Sequence, residues 1–112
     1  MSGWLDRKIS PMLATSGRPF DSPRHLFELK WDGIRALAFF GRGKVRLQGR
    51  KLTDSTDRYP EIARALRQLP GEAVLDGEIV VLDDDKPDFE RVLVREQARD
   101  PGKVAFLARR HP

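Results

Sequence analysis

The residues best suited to chemistry lie in one short stretch, Glu28 to Arg35, which reads ELKWDGIR. Apolar and ionisable side chains alternate along residues 27–32, which predicts a β-strand with Lys30 on its charged face. Gly33 follows and permits a tight turn or a close approach of backbone. A lysine beside a carboxylate and followed by such a glycine is what an enzyme needs to hold an amine against a phosphate. The structural alternative is an edge-strand lysine paired with Asp32.

A second pair of candidate residues lies further along the chain, in a strand predicted over residues 73–83. Asp76 and Glu78 share one face of this strand with three apolar residues, Val74, Val80 and Leu82. Ionised carboxylates on an apolar face lose hydration unless a cation, a donor or a ligand hydroxyl meets them, so this pair is also a candidate for binding. The competing interpretation is a structural pair with nearby arginines.

Three antiparallel strands are predicted to position Lys30. They cover residues 25–32, 34–40 and 44–48, and residues 41–43 make a tight connection between the last two. The third strand and the residues after it form a predicted basic surface, which consists of Lys44, Arg46, Gln48, Arg50 and Lys51. A solvated sheet face is the alternative.

Three helices are predicted to flank this sheet, which gives an α+β fold with an antiparallel sheet. The first has its apolar residues at helical spacing, with Thr56 or Asp57 as its cap and Pro60 in its first turn. The second follows Asp88 and extends to residue 99, and the third covers 101–110 with Asp100 as its cap. The acidic turn at residues 83–87 is expected to be solvated rather than metal-binding.

Residues 1–23 contain three prolines and no sustained period, which predicts an extended lead-in to a domain over residues 24–112. We expect its apolar residues to anchor it, namely Ile9, Met12, Leu13 and Phe20.

Composition sets limits on function. The chain has 112 residues, enough for one domain, and a net charge of +4 that favours a polyanionic partner such as nucleic acid or nucleotide. Cysteine is absent, which excludes a disulfide framework, a thiol nucleophile and a cysteine-based zinc site. No membrane-spanning run or secretory signal is evident, so we expect a soluble, cytoplasmic protein.

The stretch from Lys30 to Arg35 resembles the K-x-D-G-x-R signature of the covalent nucleotidyltransferases, a superfamily of ATP-dependent DNA ligases, RNA ligases and mRNA capping enzymes. Bacterial DNA ligases of the repair and end-joining type are similar in four further stretches: residues 9–14 (ISPMLA), 28–31 (ELKW), 75–80 (LDGEIV) and 88–89 (DF). The resemblance covers nearly all of the chain. It implies the first half of a ligase adenylation domain, in a bacterial cytoplasm near nucleoid DNA.

The resemblance implies that the Lys30 amine attacks the α-phosphate of ATP and expels pyrophosphate. A protonated lysine cannot attack, so cationic neighbours, a divalent metal such as Mg²⁺ or Mn²⁺, and partial desolvation would have to favour the neutral amine. AMP would then pass to the 5′-phosphate of nicked or broken double-stranded DNA before the 3′-hydroxyl closes the nick. The predicted basic surface would bind the DNA backbone without reading its sequence.

Matching positions imply the individual roles. Glu28, Arg35 and Glu78 would bind the nucleotide, the last two at the ribose. Arg50 would contact the 5′-phosphate at the nick, although Gly49 precedes it where the family often has a serine. Four residues would support these motifs: Asp32, Gly33, Asp76 and Gly77.

Several parts of a complete ligase follow the position of Pro112 in the family. These are the aromatic that stacks on adenine, the carboxylate for the metal, the paired lysines of the final motif and the OB-fold domain. We therefore expect no metal site and no OB-fold domain in this chain, and a separate polypeptide is one possible source of these parts. The hypothesis is that the chain alone seals no nicks and self-adenylates weakly or not at all. The alternatives are a non-catalytic basic remnant that binds nucleic acid or nucleotide, and an RNA ligase or capping-type nucleotidyltransferase.

Overall fold

A computed structural model describes residues 3–112 of the protein, and these residues form a small antiparallel sheet with helices packed on it. A 3₁₀ turn at Gly3–Asp6 opens the described part, and a second one covers Thr56–Arg58. The remaining elements, in chain order, are β1 (Ile34–Gly41), β2 (Lys44–Gly49), α1 (Pro60–Arg67), β3 (Ala73–Ile79), β4 (Leu82–Asp83), β5 (Lys86–Pro87), α2 (Phe89–Gln97) and α3 (Pro101–Arg110). The predicted α+β class is confirmed.

The main sheet has the order β2-β1-β3, so β1 is its central strand and pairs antiparallel with both neighbours. Arg42 and Gly43 connect β1 to β2 and both have positive φ, +54° and +75°. Two such residues are typical of a type I′ turn, whose twist matches that of the strands. The predicted tight connection is therefore confirmed, and β4 and β5 form a second, two-stranded sheet.

One face of the sheet forms the hydrophobic core with α1 and α2. Six buried residues make up the core cluster: Ala36, Leu47, Tyr59, Ile79, Val81 and Val92. Ile62 and Leu66 of α1 pack against it, whereas Ala65 and Leu69, which share the predicted apolar stripe, are exposed. A smaller cluster of Ala98, Val104 and Leu107 joins the end of α2 to α3.

The lead-in is attached to β2 by polar side chains. Gln48 accepts a hydrogen bond from the backbone N–H of Ile9 at 3.3 Å and donates one to the carbonyl of the same residue at 2.7 Å. The Arg46 guanidinium donates to the carbonyls of Leu5 and Arg7 at 2.8 and 2.6 Å. Through these bonds, the buried Gln48 amide and the half-buried Arg46 guanidinium find hydrogen-bond partners in the backbone of the extended lead-in.

This attachment corrects two predictions. The side chains of Met12, Leu13 and Phe20 are exposed, so they do not anchor the lead-in, and Ile9 is held through its backbone. The predicted basic surface is not continuous either, because Arg46 and Gln48 face the lead-in and not solvent. Sequence alternation identified the polar face of β2 but could not show that backbone carbonyls would cover it. The first two residues of the predicted lead-in, Met1 and Ser2, lie outside the described residues.

The strand predicted over residues 25–32 is wrong. This segment has no regular hydrogen-bonded partner in the described part of the chain, and its apolar residues are exposed, including Leu26 at 96%. The third strand of the sheet is β3, which pairs with β1 where the prediction placed the lysine strand. Alternation of side chains indicates which face they would take in a strand, but it does not supply a neighbour with free N–H and C=O groups.

The helices confirm most of the predicted boundaries. Asp88 caps α2 by accepting from the backbone N–H of Arg91 at 3.1 Å, and Asp100 caps α3 by accepting from Lys103 at 3.0 Å. The predicted cap of α1 is wrong, because Tyr59 occupies that position and its side chain does not cap the helix. In residues 3–112, no helix is long and apolar enough to cross a membrane.

A buried arginine connects the helices. Arg95 of α2 is 2% exposed, and its guanidinium forms two hydrogen bonds of 2.6 Å with the carboxylate of Glu61 in α1. It also donates to the carbonyl of His111, just after α3, at 3.0 Å. Because a buried charge is costly without partners, this arginine requires α1, α2 and the end of α3 to stay together.

Gly33 is required by a close approach of backbone, which gives the first testable prediction. A Cβ at this position would lie 2.3 Å from the carbonyl oxygen of Ile79 and 2.7 Å from Val80. Gly33→Ala must therefore push the Lys30 segment away from the end of β3. We expect a loss of about 3 kcal/mol in the free energy of unfolding, measured by denaturant titration.

Gly77→Ala is the matched control, because a Cβ at Gly77 in the neighbouring strand would meet no atom within 4 Å. We expect this substitution to be neutral or slightly stabilising, since alanine has less backbone freedom to lose in a strand. Equal losses for the two variants would contradict the assignment of a close approach at Gly33.

Candidate functional site

An open pocket of about 670 Å³ lies at the start of β1, beside the end of β3 and the turn after β2. Four residues predicted from the sequence to act on nucleotide or DNA line it: Lys30, Arg35, Arg50 and Glu78. They come from separate parts of the chain, and the antiparallel pairing of β1 with its two neighbours brings them together. Gly33 lines the same pocket, so the close approach at this glycine also shapes the site.

The Lys30 side chain reaches solvent at the pocket. It is 93% exposed, and its Nζ lies 3.8 Å from a carboxylate oxygen of Asp32. This is the pairing that the structural alternative predicted, although at this distance and exposure the ion pair contributes little. The described residues therefore present the amine but do not bury it.

Arg35 and two carboxylates form the ordered part of the site. The register of β1 and β3 places Arg35 directly opposite Glu78, yet its guanidinium makes a bidentate pair with Asp76, at 2.6 and 2.7 Å. Hydrogen bonding to Arg35 lowers the pKa of the Asp76 carboxyl, and the same bond raises the pKa of the guanidinium. Glu78 differs, because burial and the charge of Asp76 together raise the pKa of its carboxyl more than the nearby Arg35 and Lys30 lower it.

This geometry divides the two carboxylates between two roles. Asp76 holds Arg35 in place, as the interpretation of a structural pair with an arginine predicted. Glu78 forms no hydrogen bond or ion pair within residues 3–112 and lines the pocket, so its oxygens remain available to a ligand. A partly desolvated carboxylate of this kind accepts hydrogen bonds well from neutral hydroxyl groups.

A tight turn presents Arg50. The backbone N–H of Leu52 donates to the carbonyl of Gly49 at 2.9 Å, and Gly49 donates to the carbonyl of Thr53 at 2.8 Å. Leu52 has a φ of +67°, a left-handed conformation that is unfavourable for a leucine. Arg50 and Lys51 at the tip of this turn both line the pocket.

Sequence reasoning missed some lining residues. Lys51 was predicted only as part of a basic surface, and Thr53, Phe89 and Glu96 were not predicted as site residues at all, although all four line the pocket. Glu96 also accepts hydrogen bonds from Arg58, at 2.6 Å, and from the Tyr59 hydroxyl. Phe89 belongs to the stretch 88–89 that resembles the ligases, but the resemblance gave it no role in the site, and Glu96 lies in no motif. Their place in α2 beside the sheet brings both to the pocket.

Four predicted residues do not line this pocket: Glu28, Asp32, Asp76 and Gly77. Asp32 and Asp76 instead contact residues that do, which agrees with a supporting position. Glu28 is exposed, with no described contact to the pocket. Within residues 3–112 no group of three or more His, Cys, Asp or Glu residues is arranged to hold a metal ion.

Comparison with known proteins identifies the class to which this fold and pocket belong. Residues 11–111 match the family described as the ATP dependent DNA ligase domain, so the chain belongs to that family. Its resemblance to ATP-dependent DNA ligases is therefore confirmed, as is the nucleotidyltransferase fold.

Several of the proteins similar to this chain are ligases of mycobacteria. The chain is 39% identical over 105 residues to DNA ligase C2 of Mycolicibacterium smegmatis, covering 93% of this chain and 29% of that protein. It is 40% identical over 104 residues to the multifunctional non-homologous end joining protein LigD of Mycobacterium bovis, covering 89% of this chain and 13% of that protein. The structure of a mycobacterial DNA ligase D complexed with ATP and MES matches with a TM-score of 0.56 and 39% identity, over 65% of this chain and 24% of that one. The chain thus spans less than a third of each relative.

The two carboxylates of the site give the second prediction. In a pH titration followed by carboxyl NMR, Asp76 should titrate below the ordinary aspartate range and Glu78 above the ordinary glutamate range. Because the pKa of Asp76 is lowered by folding, its contribution to stability should be present above its unfolded pKa and lost as the pH falls through its folded pKa. Glu78 should act in the opposite sense: its ionisation opposes folding above its raised pKa, and protonation removes that penalty as the pH falls.

Two variants separate the effects of Arg35 and Lys30 on the pKa values of these carboxyl groups. Arg35→Gln should raise the pKa of both carboxyl groups, since Arg35 lowers each of them. Lys30→Gln should raise only that of Glu78, because Lys30 acts on Glu78 and not on Asp76. If Asp76 titrates at a higher pH than Glu78, the bidentate pair described above is not formed in solution.

Proposed function

We propose that this chain provides the nucleophilic lysine and part of the nucleotide and DNA contacts of an ATP-dependent DNA ligase that acts in repair and recombination. The observation that carries the proposal is the single pocket that gathers Lys30, Arg35, Arg50 and Glu78. Family membership supports it, as does the ATP complex of the related mycobacterial ligase. Residues 24–112 would then be a partial adenylation domain preceded by the lead-in, in a cytoplasmic protein that acts on nucleoid DNA.

The chemistry assigns a separate task to each residue. The Lys30 amine would attack the α-phosphorus of ATP, so that a P–N bond forms, the bond to the β-phosphate oxygen breaks and pyrophosphate leaves. Glu78 would accept a hydrogen bond from a ribose hydroxyl, and Arg35, held by Asp76, would donate to the nucleotide. Arg50 would bind the 5′-phosphate of a nick, to which AMP passes before the 3′-hydroxyl displaces it and seals the strand.

Within residues 3–112 no group of three or more His, Cys, Asp or Glu residues is arranged to hold the divalent metal of such a reaction by itself. At nucleotide sites Mg²⁺ keeps several waters and is bound by one or two carboxylates together with substrate phosphates. Mg²⁺ or Mn²⁺ therefore enters only as an expectation from the family, and no step is derived through it.

We further propose that the 112-residue chain on its own self-adenylates weakly or not at all. Lys30 is 93% exposed, so water and not protein surrounds its amine, and its one described ion-pair partner is Asp32 at 3.8 Å. Without additional cationic groups around the triphosphate, most of the electrostatic stabilisation of a phosphoryl-transfer transition state would be lacking.

The third prediction concerns labelling by ATP. The chain alone, incubated with α-labelled ATP and magnesium, should take up little label. A chimera in which residues 11–111 replace the matching stretch of DNA ligase C2 should become labelled and should seal a nicked duplex, because the relative then supplies the remaining contacts. Lys30→Arg in the chimera should reduce both signals by at least about a thousandfold, since the charge remains but the nucleophile is lost.

Lys51→Arg in the same chimera is the matched control, because it alters another lysine of the pocket without removing a nucleophile. It should retain labelling within about tenfold. Label on the chain alone that disappears in Lys30→Ala would overturn the proposed weakness of the isolated chain. A chimera that folds but carries no label dependent on Lys30 would overturn the ligase proposal itself.

A second candidate function is a non-catalytic module that binds nucleic acid. The exposure of Lys30 and the net charge of +4 favour it. It gives the fourth prediction: in fluorescence anisotropy, the chain should bind duplex DNA with an affinity that falls as salt increases and that is unchanged by Lys30→Ala. Binding accompanied by labelling that depends on Lys30 would favour the ligase function instead.

A further inference from the structure

The outward side of α3 carries cations that the candidate pocket does not use. Val104 and Leu107 bury one side of this helix in the small cluster at the end of α2. Four exposed residues, which we call the α3 basic face, lie away from that cluster: Lys103, Phe106, Arg109 and Arg110. Lys103, Phe106 and Arg110 follow the spacing i, i+3 and i+7, so these three share one line along the helix.

The charge of this face is not neutralised by the protein. None of the ion pairs formed within residues 3–112 includes a cation of the α3 basic face. Residues 99–112 contain four basic residues and one carboxylate, a net of +3 in a chain whose net charge is +4. That carboxylate, Asp100, is engaged as the cap of α3 by the backbone N–H of Lys103. Residues 99–112 therefore carry a local cluster of positive charge that their one carboxylate does not neutralise.

We propose that the α3 basic face binds the phosphate backbone of duplex DNA, as a second contact outside the candidate pocket. The inference rests on the proposed function, because that function supplies DNA as the partner. From Lys103 to Arg110 the helix rises about 10 Å. Four successive phosphates of one strand span about the same length along the axis of a DNA duplex, at about 3.4 Å for each interval. Lys103 and Arg110, the two cations at the ends of this line, thus have about the axial separation of the first and last phosphates of such a run, and Arg109 adds a third cation beside Arg110.

The exposed aromatic residue fits the same partner. Phe106 is 54% exposed and lies between Lys103 and Arg110 on the helix surface. An apolar ring placed between cations can pack on deoxyribose while its neighbours bind phosphates, and contacts of this kind carry no sequence information. The α3 basic face would therefore strengthen binding and orient the duplex without selecting a sequence.

An anionic membrane is less suitable as the partner. A helix that binds a bilayer inserts a broad apolar face into the lipid and keeps its cations at the rim. In α3 the apolar residues Val104 and Leu107 are buried against the rest of the protein, so only the Phe106 ring could enter a membrane. The observations therefore favour duplex DNA, whose phosphates can contact the exposed side of the helix without insertion of an apolar face.

The fifth prediction tests this surface by DNA binding. Binding of the full chain to a fluorescein-labelled nicked duplex is measured by anisotropy over a series of salt concentrations. The triple variant Lys103→Gln, Arg109→Gln and Arg110→Gln should bind at least about tenfold more weakly at low salt. Its slope of log affinity against log salt should also be smaller by about two to three, one unit for each lost phosphate contact.

The matched control removes the same charge elsewhere. Arg18→Gln, Arg24→Gln and Lys86→Gln change three exposed cations that belong neither to α3 nor to the candidate pocket. This variant should lose much less affinity than the α3 variant. A conservative variant with Lys103→Arg, Arg109→Lys and Arg110→Lys should bind as the unchanged protein does, which separates loss of charge from loss of structure.

The possible outcomes distinguish this proposal from its alternatives and from the proposed function. Equal weakening in the α3 variant and the charge control would show that net charge alone governs binding, and would overturn the proposal. An unchanged α3 variant, or one that loses binding to vesicles of anionic phospholipid but not to DNA, would overturn it as well. Labelling of Lys30 in the chimera reports the proposed function separately, because that step requires ATP and not DNA.

Discussion

The site depends on the antiparallel pairing of β1 with β3. Because the side-chain period of a strand is two, this register alone decides that Arg35 faces Glu78 and that Asp76 lies within reach on the same face. A slip of one residue would turn both carboxylates to the opposite face of the sheet. The close approach of Gly33 to Ile79 marks the end of the pairing and directs the chain that carries Lys30 towards the pocket.

The helical layer stabilises that register from the other face. Tyr59, Val92 and Val81 complete a core with residues of all three strands, and the ion pair between Arg95 and Glu61 fixes α2 against α1. Burial raises the pKa of the Tyr59 hydroxyl, which donates to Glu96 at the pocket. Core packing and site geometry are therefore coupled through α2, since one side of this helix completes the core and another lines the pocket.

Local signals in the sequence predicted much of this structure. The turn at Arg42 and Gly43 and the caps Asp88 and Asp100 each depend on residues close in sequence, and the structure confirms them. The failures involve distant partners. The segment before Gly33 alternates like a strand but has no described strand beside it, and Arg46 and Gln48 look solvated until the backbone of the lead-in is placed on them. Motif resemblance predicted that Glu78 binds nucleotide and that Asp76 supports its motif, but it could not show that this support is a bidentate pair with Arg35.

The bidentate pair between Arg35 and Asp76 determines which carboxylate of the site is left for a ligand. Two carboxylates two residues apart in one strand compete for the same guanidinium, and Arg35 pairs with Asp76 although Glu78 is its direct neighbour across the sheet. The pair neutralises one charge of each sign and orients Arg35 at the pocket, so Glu78 is the neighbouring carboxylate that remains for a ligand. Glu78 is then left partly desolvated and without a partner in the described part of the chain, a state that a ligand hydroxyl would relieve. If Arg35 had paired with Glu78 instead, that carboxylate would already have a partner and would not be available to a ligand.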